Sequence, residues 1–248
     1  MSRLTVGLCA GIVTVALLAG CGPDRPSRPG GGTASPTTAA RSTRPPDNGI
    51  AAKPVKEILA ATERAFRSAR SVQVKVTFKD RAGVVKANLT LTHKQDLAAG
   101  WFEQQGVRMS FRVAGGRFYF RGRRFWAKQG NAELAKLIGD RWVLVPRSVA
   151  GELTPLGDDF TIDGLADELF RPKDRPRFIR KGRATVGRLP AVRLWSVEGS
   201  YYVAATGKPY PLLLDHAGDN LDTAFSNYDR SVPIRPPQGA LDLEKLRG

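Results

Sequence analysis

Residues 72–79 read VQVKVTFK, and apolar and polar side chains alternate through this segment without a break. Alternation with a period of two is typical of a β-strand that has one face against a core and the other in solvent. Residues 85–91, VKANLTL, repeat the pattern after a turn at residues 81–83. Parallel pairing needs a long crossover, so strands this close together predict an antiparallel meander.

The same period predicts about eleven strands in the whole chain. Turn-forming clusters such as residues 187–190, GRLP, separate the later ones. A sheet of this size with few helices is expected to curl, which leaves a concave apolar face. The further predicted strands are residues 107–113, 117–121, 125–127, 142–145, 177–186, 191–197, 200–205, 210–216, 221–226 and 231–235.

One long helix is predicted before the first strand. Pro54 suits a helix N-terminus, and Val55, Ile58, Thr62 and Phe66 follow at helical spacing, which predicts a helix over residues 55–70. Short helices are predicted over residues 131–138 and from Thr161 or Asp163 to just before Pro172. No linker interrupts residues 53–248, so we expect a single α+β domain there.

The N-terminus has the pattern of an export signal. Arg3 precedes an apolar run at residues 4–18, which is too short to span a membrane comfortably. Residues 18–21, LAGC, resemble a bacterial lipobox, in which the cysteine is acylated before the signal is cleaved. We therefore predict a signal peptide at residues 1–20 and a lipid anchor on Cys21. An ordinary signal peptide that happens to contain a cysteine is the alternative.

Residues 22–52 are rich in Pro, Gly, Ser and Thr, and Ile50 is their only large aliphatic residue. Such a segment buries too little apolar surface to offset the entropy lost on ordering. We therefore predict that residues 21–52 comprise the acylated cysteine and a disordered tether.

The composition narrows the functional classes. The chain has 248 residues, with 39 Lys and Arg against 23 Asp and Glu, a net charge of +16, two His and two Cys. Two cysteines exclude a disulfide scaffold, and His93 and His216 are the only imidazoles. Motifs for nucleophilic hydrolysis, zinc binding or dinucleotide binding do not occur. We therefore predict no catalytic residue, metal site or cofactor, although an unrecognised hydrolase stays open as a third hypothesis.

Basic residues concentrate in one stretch near the middle of the chain. The predicted export excludes nucleic acid as the partner, which leaves anionic lipid headgroups or acidic wall polymers. A solvated face in a basic protein is the alternative reading. The residues are Arg171, Lys173, Arg175, Arg177, Arg180, Lys181 and Arg183, and a second cluster comprises Arg117, Arg121, Arg123, Arg124 and Lys128.

Together these features resemble the LppX/LprG-type lipoproteins of mycobacteria and other actinobacteria, which share the fold of the LolA and LolB lipoprotein carriers. The lipobox, the tether, the helix with its first strand, and the C-terminal hairpins carry the resemblance. It covers most of residues 53–240, whereas residues 147–175 depart from the pattern. The most similar stretches are residues 187–194 (GRLPAVRL), 205–212 (ATGKPYPL), 225–228 (FSNY) and 232–234 (VPI).

The resemblance implies a half-barrel wrapped around the helices, with an apolar cavity for the acyl chains, such as palmitate, of envelope lipids. It implies a lipid-anchored, monomeric carrier on the outer face of the cell membrane that catalyses nothing. A non-enzymatic module of the same fold that binds an envelope protein or an anionic wall polymer is the alternative. The predicted cavity residues, on the apolar side of the first strands, are Val74, Val76, Phe78, Leu89, Leu91, Met109, Phe111, Phe118 and Phe120.

Overall fold

A computed structural model describes residues 46–80, 83–93, 97–128, 132–150, 161–170, 178–217 and 221–245. The predicted signal peptide, the lipidation site Cys21 and most of the predicted tether lie outside the described residues. The same is true of four residues of the first basic cluster, Arg171, Lys173, Arg175 and Arg177.

The long helix predicted from the apolar spacing is helix α1, Val55–Arg67. It ends three residues earlier than predicted, because the Ser68 hydroxyl and the Ala69 backbone N–H bind the Ala65 and Phe66 carbonyl groups in its last turn. The hydroxyl of Thr161 accepts a hydrogen bond from the backbone of Gly164 at 2.9 Å, which confirms Thr161 as a helix cap. The other helices are α2 (Arg123–Lys128), α3 (Ala132–Ile138), α4 (Arg147–Ala150) and α5 (Ile162–Phe170).

The described strands form one open sheet of twelve strands, in the order β12-β6-β5-β4-β3-β2-β1-β11-β10-β9-β8-β7. Neighbouring strands are antiparallel except for β12 and β6. This confirms the predicted α+β class with a curled, mostly antiparallel sheet and few helices. The strands are β1 (Ser71–Asp80), β2 (Gly83–Thr92), β3 (Leu97–Gln104), β4 (Val107–Ala114), β5 (Arg117–Arg121), β6 (Val143–Val145), β7 (Arg180–Val186), β8 (Leu189–Ser196), β9 (Gly199–Ala204), β10 (Pro211–His216), β11 (Leu221–Ser226) and β12 (Leu241–Asp242).

The sheet consists of two meanders, β1 to β6 and β7 to β11, which meet where β1 pairs with β11. Val74 lies opposite both Leu89 of β2 and Phe225 of β11. Directly paired residues point to the same side of a sheet, so the apolar sides of the two meanders form one surface.

Two predicted strands are wrong. The segment at residues 125–127 belongs to α2, because the backbone N–H groups of Phe125 and Trp126 bind the Gly122 carbonyl at 3.0 and 3.1 Å and start a helical turn. The segment at residues 231–235 forms no strand. Pro233 cannot donate to a ladder, and Ile234 instead packs on the sheet against Ala114 and Tyr119.

The sequence prediction missed β3, α4 and the two-residue strand β12. Strand β3 reads LAAGWFEQ, and its solvent-side positions include Leu97, Ala99 and Trp101, so the usual alternation of polar and apolar residues is hidden. Helix α4 has only four residues, too few to show a period.

The predicted domain boundary at residue 53 falls too late. Asn48 donates side-chain hydrogen bonds to the carbonyl groups of Ala204 and Gly207 at 2.9 and 3.0 Å. Ile50, in a short 3-10 helix, is 2% exposed and belongs to the main core. The end of the predicted tether, from residue 46, therefore packs on the domain, because its one large aliphatic side chain is buried there.

Asp229 ties the start of β1 to the chain beyond β11. Its carboxylate accepts hydrogen bonds from the Arg70 backbone N–H at 2.8 Å, the Tyr210 hydroxyl at 2.7 Å and the Lys208 ammonium at 3.4 Å. Burial disfavours the charged carboxylate, but these hydrogen bonds outweigh burial and lower the pKa of Asp229 below its ordinary value. The stacked rings of Tyr210 and Tyr228, 3.9 Å apart, pack beside this contact.

Replacing Asp229 with Asn tests this contact, because Asn tolerates the positive φ of 60° at this position. A carboxylate with a depressed pKa stabilises the fold above its unfolded pKa of about 3.9, and this contribution is lost as the pH falls through the folded pKa. We expect the free energy of unfolding of the variant to be about 1 kcal/mol lower than that of the wild type at pH 7. We would measure the free energy of unfolding in urea from pH 7 to pH 2.5. The difference in this free energy between the variant and the wild type should become smaller below about pH 4. A difference that grows on acidification would contradict this assignment.

Candidate functional site

One side of the sheet, which we call the inner face, carries most of the large apolar side chains. A row of directly paired residues crosses it from β1 to β5, through Val74, Leu89, Gly100, Phe111 and Phe120. A parallel row of apolar residues lies beside it, through Val72, Leu91, Ala98, Val113 and Phe118. The inner face is therefore a continuous apolar surface at least five strands wide.

All the predicted cavity residues lie on this inner face. Seven are at most 5% exposed and belong to the main core: Val74, Leu89, Leu91, Met109, Phe111, Phe118 and Phe120. Val76 is partly buried against the same core. Phe78 is half-buried, opposite Val85 at the far end of β1. The structure thus brings together eight of the nine residues, and their role in ligand binding stays a prediction.

Gly100 lets the aromatic side chains of the inner face pack closely. A methyl group at this position would lie 2.4 Å from the Asn88 carbonyl oxygen and 2.9 Å from the Phe111 ring. Phe111 stacks on Phe102 with ring centres 5.2 Å apart. The missing side chain therefore makes room for this aromatic pair at the centre of the first meander.

Short helices cover the inner face. The ring of Phe66 in α1 contacts Phe225 of β11 and Phe170 of α5, with ring centres 5.9 and 6.0 Å apart. Trp126 of α2 and Ile138 of α3 are buried in the same core. Four of the five described α-helices have nine residues or fewer. Much of the layer over the inner face therefore consists of short, separate helices.

Arg67 holds α5 against α1. Its guanidinium contacts Asp167 at 2.6 Å and Asp163 at 3.4 Å on α5, and Glu63 at 3.1 Å on its own helix. The two aspartates are more than half exposed, so each ion pair contributes about 0–1 kcal/mol. The ionic part of the contact between the helices is therefore weak, and the packing of Phe170 on Phe66 adds an apolar part.

Two buried donors near the inner face lack a hydrogen-bond partner among the described residues, the Tyr201 hydroxyl and the Trp126 indole N–H. Tyr201 is 4% exposed, points to the inner face of β9 opposite Leu194 and Leu214, and contacts the Phe170 ring. Burial, and then the nearby charge of Glu63, raise the pKa of Tyr201 well above its ordinary value, so the hydroxyl keeps its proton. Such unpaired donors cost free energy unless an acceptor reaches them.

Sequence reasoning missed these two donors. Tyr201 and Trp126 look like ordinary core aromatics, and only the packing around them shows that their polar atoms are unpaired. The third such atom among the described residues is Nδ1 of His216, at the end of β10.

The described part of the first basic cluster does not form one patch. Lys181 and Arg183 lie opposite the inner-face residues Leu194 and Val192, whereas Arg180 points to the other side of β7. The Lys181 ammonium donates to the Ala51 and Lys53 carbonyl groups at 3.2 and 2.6 Å, a contact that supports the start of α1. Binding of an anionic surface by this cluster stays a prediction.

The described residues contain no group of three or more His, Cys, Asp or Glu side chains arranged to hold a metal ion. Within the same ranges, no helix is both long and apolar enough to cross a membrane.

Comparison with known proteins shows the fold. No protein-family model matches the sequence, and no curated protein matches it. The crystal structure of LprF from Mycobacterium bovis has a TM-score of 0.51 at 16% identity, and the match covers 74% of this chain and 97% of LprF. This likeness confirms the fold expected from the resemblance to LppX/LprG-type lipoproteins.

Two other solved structures are less similar. An uncharacterized conserved protein from Thermus thermophilus has a TM-score of 0.38 at 14% identity, over 76% of this chain and 97% of its own. A chain of the MucA/MucB complex from Pseudomonas aeruginosa has a TM-score of 0.35 at 16% identity, over 71% of this chain and 58% of its own.

Replacing Gly100 with Ala should disturb the inner face, because the new methyl group would meet the backbone of β2 as well as Phe111. We expect a loss of about 2 kcal/mol in the free energy of unfolding. Gly182→Ala is the matched control, since a methyl group there meets only the Trp195 ring, at 3.3 Å. Equal losses in the two variants, measured by chemical unfolding, would contradict close packing at Gly100.

Proposed function

We propose that this chain is an extracytoplasmic lipoprotein that binds or carries acyl-chain lipids of the cell envelope on its inner face, and that it is not an enzyme. The observation that carries the proposal is the continuous apolar inner face, with a buried Tyr201 hydroxyl that has no hydrogen-bond partner among the described residues. An acyl chain matches the apolar rows, and the ester oxygens of a lipid are hydrogen-bond acceptors.

The free energy available for such binding is large. Burial of acyl chains contributes about 0.8 kcal/mol for each methylene group. A lipid would have to displace the side chains that fill the inner face. The helices above this face are short and separate, so one of them could shift without the others. The ion pairs of Arg67 with α5 are weak, but Ile162, Ala166 and Phe170 bury α5 in the core, so the burial of acyl chains would have to offset its displacement.

We infer from Tyr201 which polar group of the lipid binds at this site. The hydroxyl is protonated at neutral pH, because the ordinary pKa of tyrosine is about 10 and burial raises the pKa of Tyr201 further, so the hydroxyl can donate to an ester or amide carbonyl. Phe170 and Phe178 flank the ring and keep the hydroxyl away from water. A lipid carbonyl would then lie below α5, with its chains along the inner face.

The proposed location is the outer face of the cell membrane, and it is supported by the sequence alone. Residues 4–18 followed by Cys21 have the pattern of a lipoprotein signal, and several acyl chains at one cysteine hold a protein firmly on a bilayer. The excess of Arg over Lys and the resemblance to mycobacterial lipoproteins favour an actinobacterial source.

The second candidate is a non-enzymatic module of the same fold that binds an envelope protein or wall polymer. The observation that favours it is the burial of the inner face, where Phe66, Phe111 and Phe120 are at most 1% exposed. A face filled in this way by its own side chains needs no ligand to complete it.

Mass spectrometry after organic extraction separates the two candidates. We expect the chain with Cys21→Ala, purified from an actinobacterial host, to release a stoichiometric diacyl or triacyl lipid. A protein that yields no lipid and takes up no fluorescent lipid would favour the interaction module.

Tyr201→Phe tests where the lipid binds. Removal of the unpaired hydroxyl should stabilise the lipid-free protein by about 1 kcal/mol and weaken lipid binding about fivefold. Tyr202→Phe is the matched control, because Tyr202 lies on the same strand but points to the opposite side of the sheet. Equal lipid affinities for the two variants, measured by fluorescent-lipid titration, would remove Tyr201 from the site.

The predicted anchor is tested by replacing Cys21 with Ala. Without a thiol to acylate, the protein should move from the membrane fraction to the soluble fraction when cells are fractionated. Retention of the variant in the membrane fraction would show that another part of the chain holds it there.

A further inference from the structure

The side of the sheet opposite the inner face, which we call the outer face, has a strongly uneven distribution of charge. On β1 to β5, seven basic side chains point outward against one acidic side chain, a net charge of 7 − 1 = +6. They are Lys75, Lys79, Lys86, Arg108, Arg112, Arg117 and Arg121, and the acid is Glu103.

The second meander has no such excess. On the outer face of β7 to β11, Arg180 and Arg193 are balanced by Asp215 and Asp222, so the net charge of the described residues there is 2 − 2 = 0. The basic composition of the chain therefore does not explain the outer face by itself, because the same sheet is positive on one half and neutral on the other.

Aromatic side chains accompany the positive charge. The Arg108 guanidinium lies over the Trp101 ring at 4.0 Å, and the guanidinium groups of Arg112 and Arg121 lie over Trp142 at 4.8 and 5.3 Å. Both tryptophans are partly exposed. Tryptophan and arginine side chains suit the headgroup level of a bilayer, where one end of each is apolar and the other is hydrated.

The shape of the surface favours a bilayer over a polymer. Five neighbouring strands span about 20 Å, so the charges are spread over a broad face and are not concentrated in a groove. The segment around Ile234 covers one end, near Ala114 and Tyr119. The row from Lys75 through Trp101 to Arg121 lies beyond this contact, and both basic side chains are exposed.

We propose that the outer face of β1 to β5 docks on an anionic phospholipid surface, with Lys75, Arg108 and Arg121 at the headgroups and Trp101 between them. Each basic side chain at such a surface contributes about fivefold to binding. The proposal concerns the side of the sheet opposite the proposed lipid site and does not depend on that site. Docking would keep the inner face and its helices turned away from the bilayer plane.

Vesicle cosedimentation tests the docking surface, with the full chain carrying Cys21→Ala so that no acyl anchor contributes. We expect binding to vesicles of phosphatidylcholine and phosphatidylglycerol, and little binding to phosphatidylcholine alone. Binding should be lost at about 0.5 M NaCl, because exposed charges are then screened. In the same chain, Lys75→Glu with Arg121→Glu should weaken binding at least about thirtyfold.

The matched control is Lys56→Glu with Arg64→Glu, which changes the net charge equally at two exposed positions of α1. We expect its vesicle affinity to stay within about threefold of the parent chain. Equal losses of vesicle affinity in the two double variants would show that only the net charge of the chain matters and would overturn the proposal. Binding to neutral vesicles that salt does not weaken would also overturn it.

An anionic polymer is the competing partner. Binding to a soluble polyanion, such as a teichoic acid preparation, without binding to phosphatidylglycerol vesicles would assign the outer face to a wall polymer and overturn the membrane proposal. Thermal unfolding of each variant shows whether it is folded.

Discussion

The pairing of β1 with β11 is the constraint on which the rest of the structure depends. It joins residues about 150 positions apart in sequence, and each of the two strands also pairs within its own meander. Without this ladder the apolar surfaces of the two meanders would be separate. Phe66 could then not contact Phe225 of β11 and Phe170 of α5 at the same time. Asp229 reinforces the junction, because it binds the backbone at the start of β1.

Local periodicity predicted the strands whose outward positions are polar, such as β1, β2 and β11, and the long helix with its apolar stripe. It failed where tertiary contacts decide the structure. Strand β3 places Leu97 and Trp101 outward, under the C-terminal segment and under Arg108, so its pattern looks like neither strand nor helix. Phe125 instead belongs to a helix that starts after Gly122, whose carbonyl accepts hydrogen bonds from Phe125 and Trp126, and a side chain at Gly122 would clash with the Arg108 carbonyl group.

The sequence predicted which side of the sheet carries the candidate site, but not the polar atoms within the site. The parity of Leu89, Phe111 and Phe120 follows from alternation, which put them correctly on one surface. The unpaired hydroxyl of Tyr201 was not predictable, because a missing hydrogen bond is a property of everything packed around a residue. The basic residues that end at Arg183 form one cluster in the sequence, but the three that the structure describes, Arg180, Lys181 and Arg183, are divided between the two sides of β7.

The two edges of the open sheet have different protection against pairing with another strand. The edge strand β12 has only two residues, which is too short to template a further strand. The other edge, β7, has Lys181 and Arg183 on one side and Arg180 on the other, and like charges on a second copy would repel them. A large sheet that does not close into a barrel is prone to aggregate through its edges. In this chain, short length at one edge and positive charge at the other oppose that outcome, so the basic residues of β7 have a use in solubility whether or not they contact any ligand.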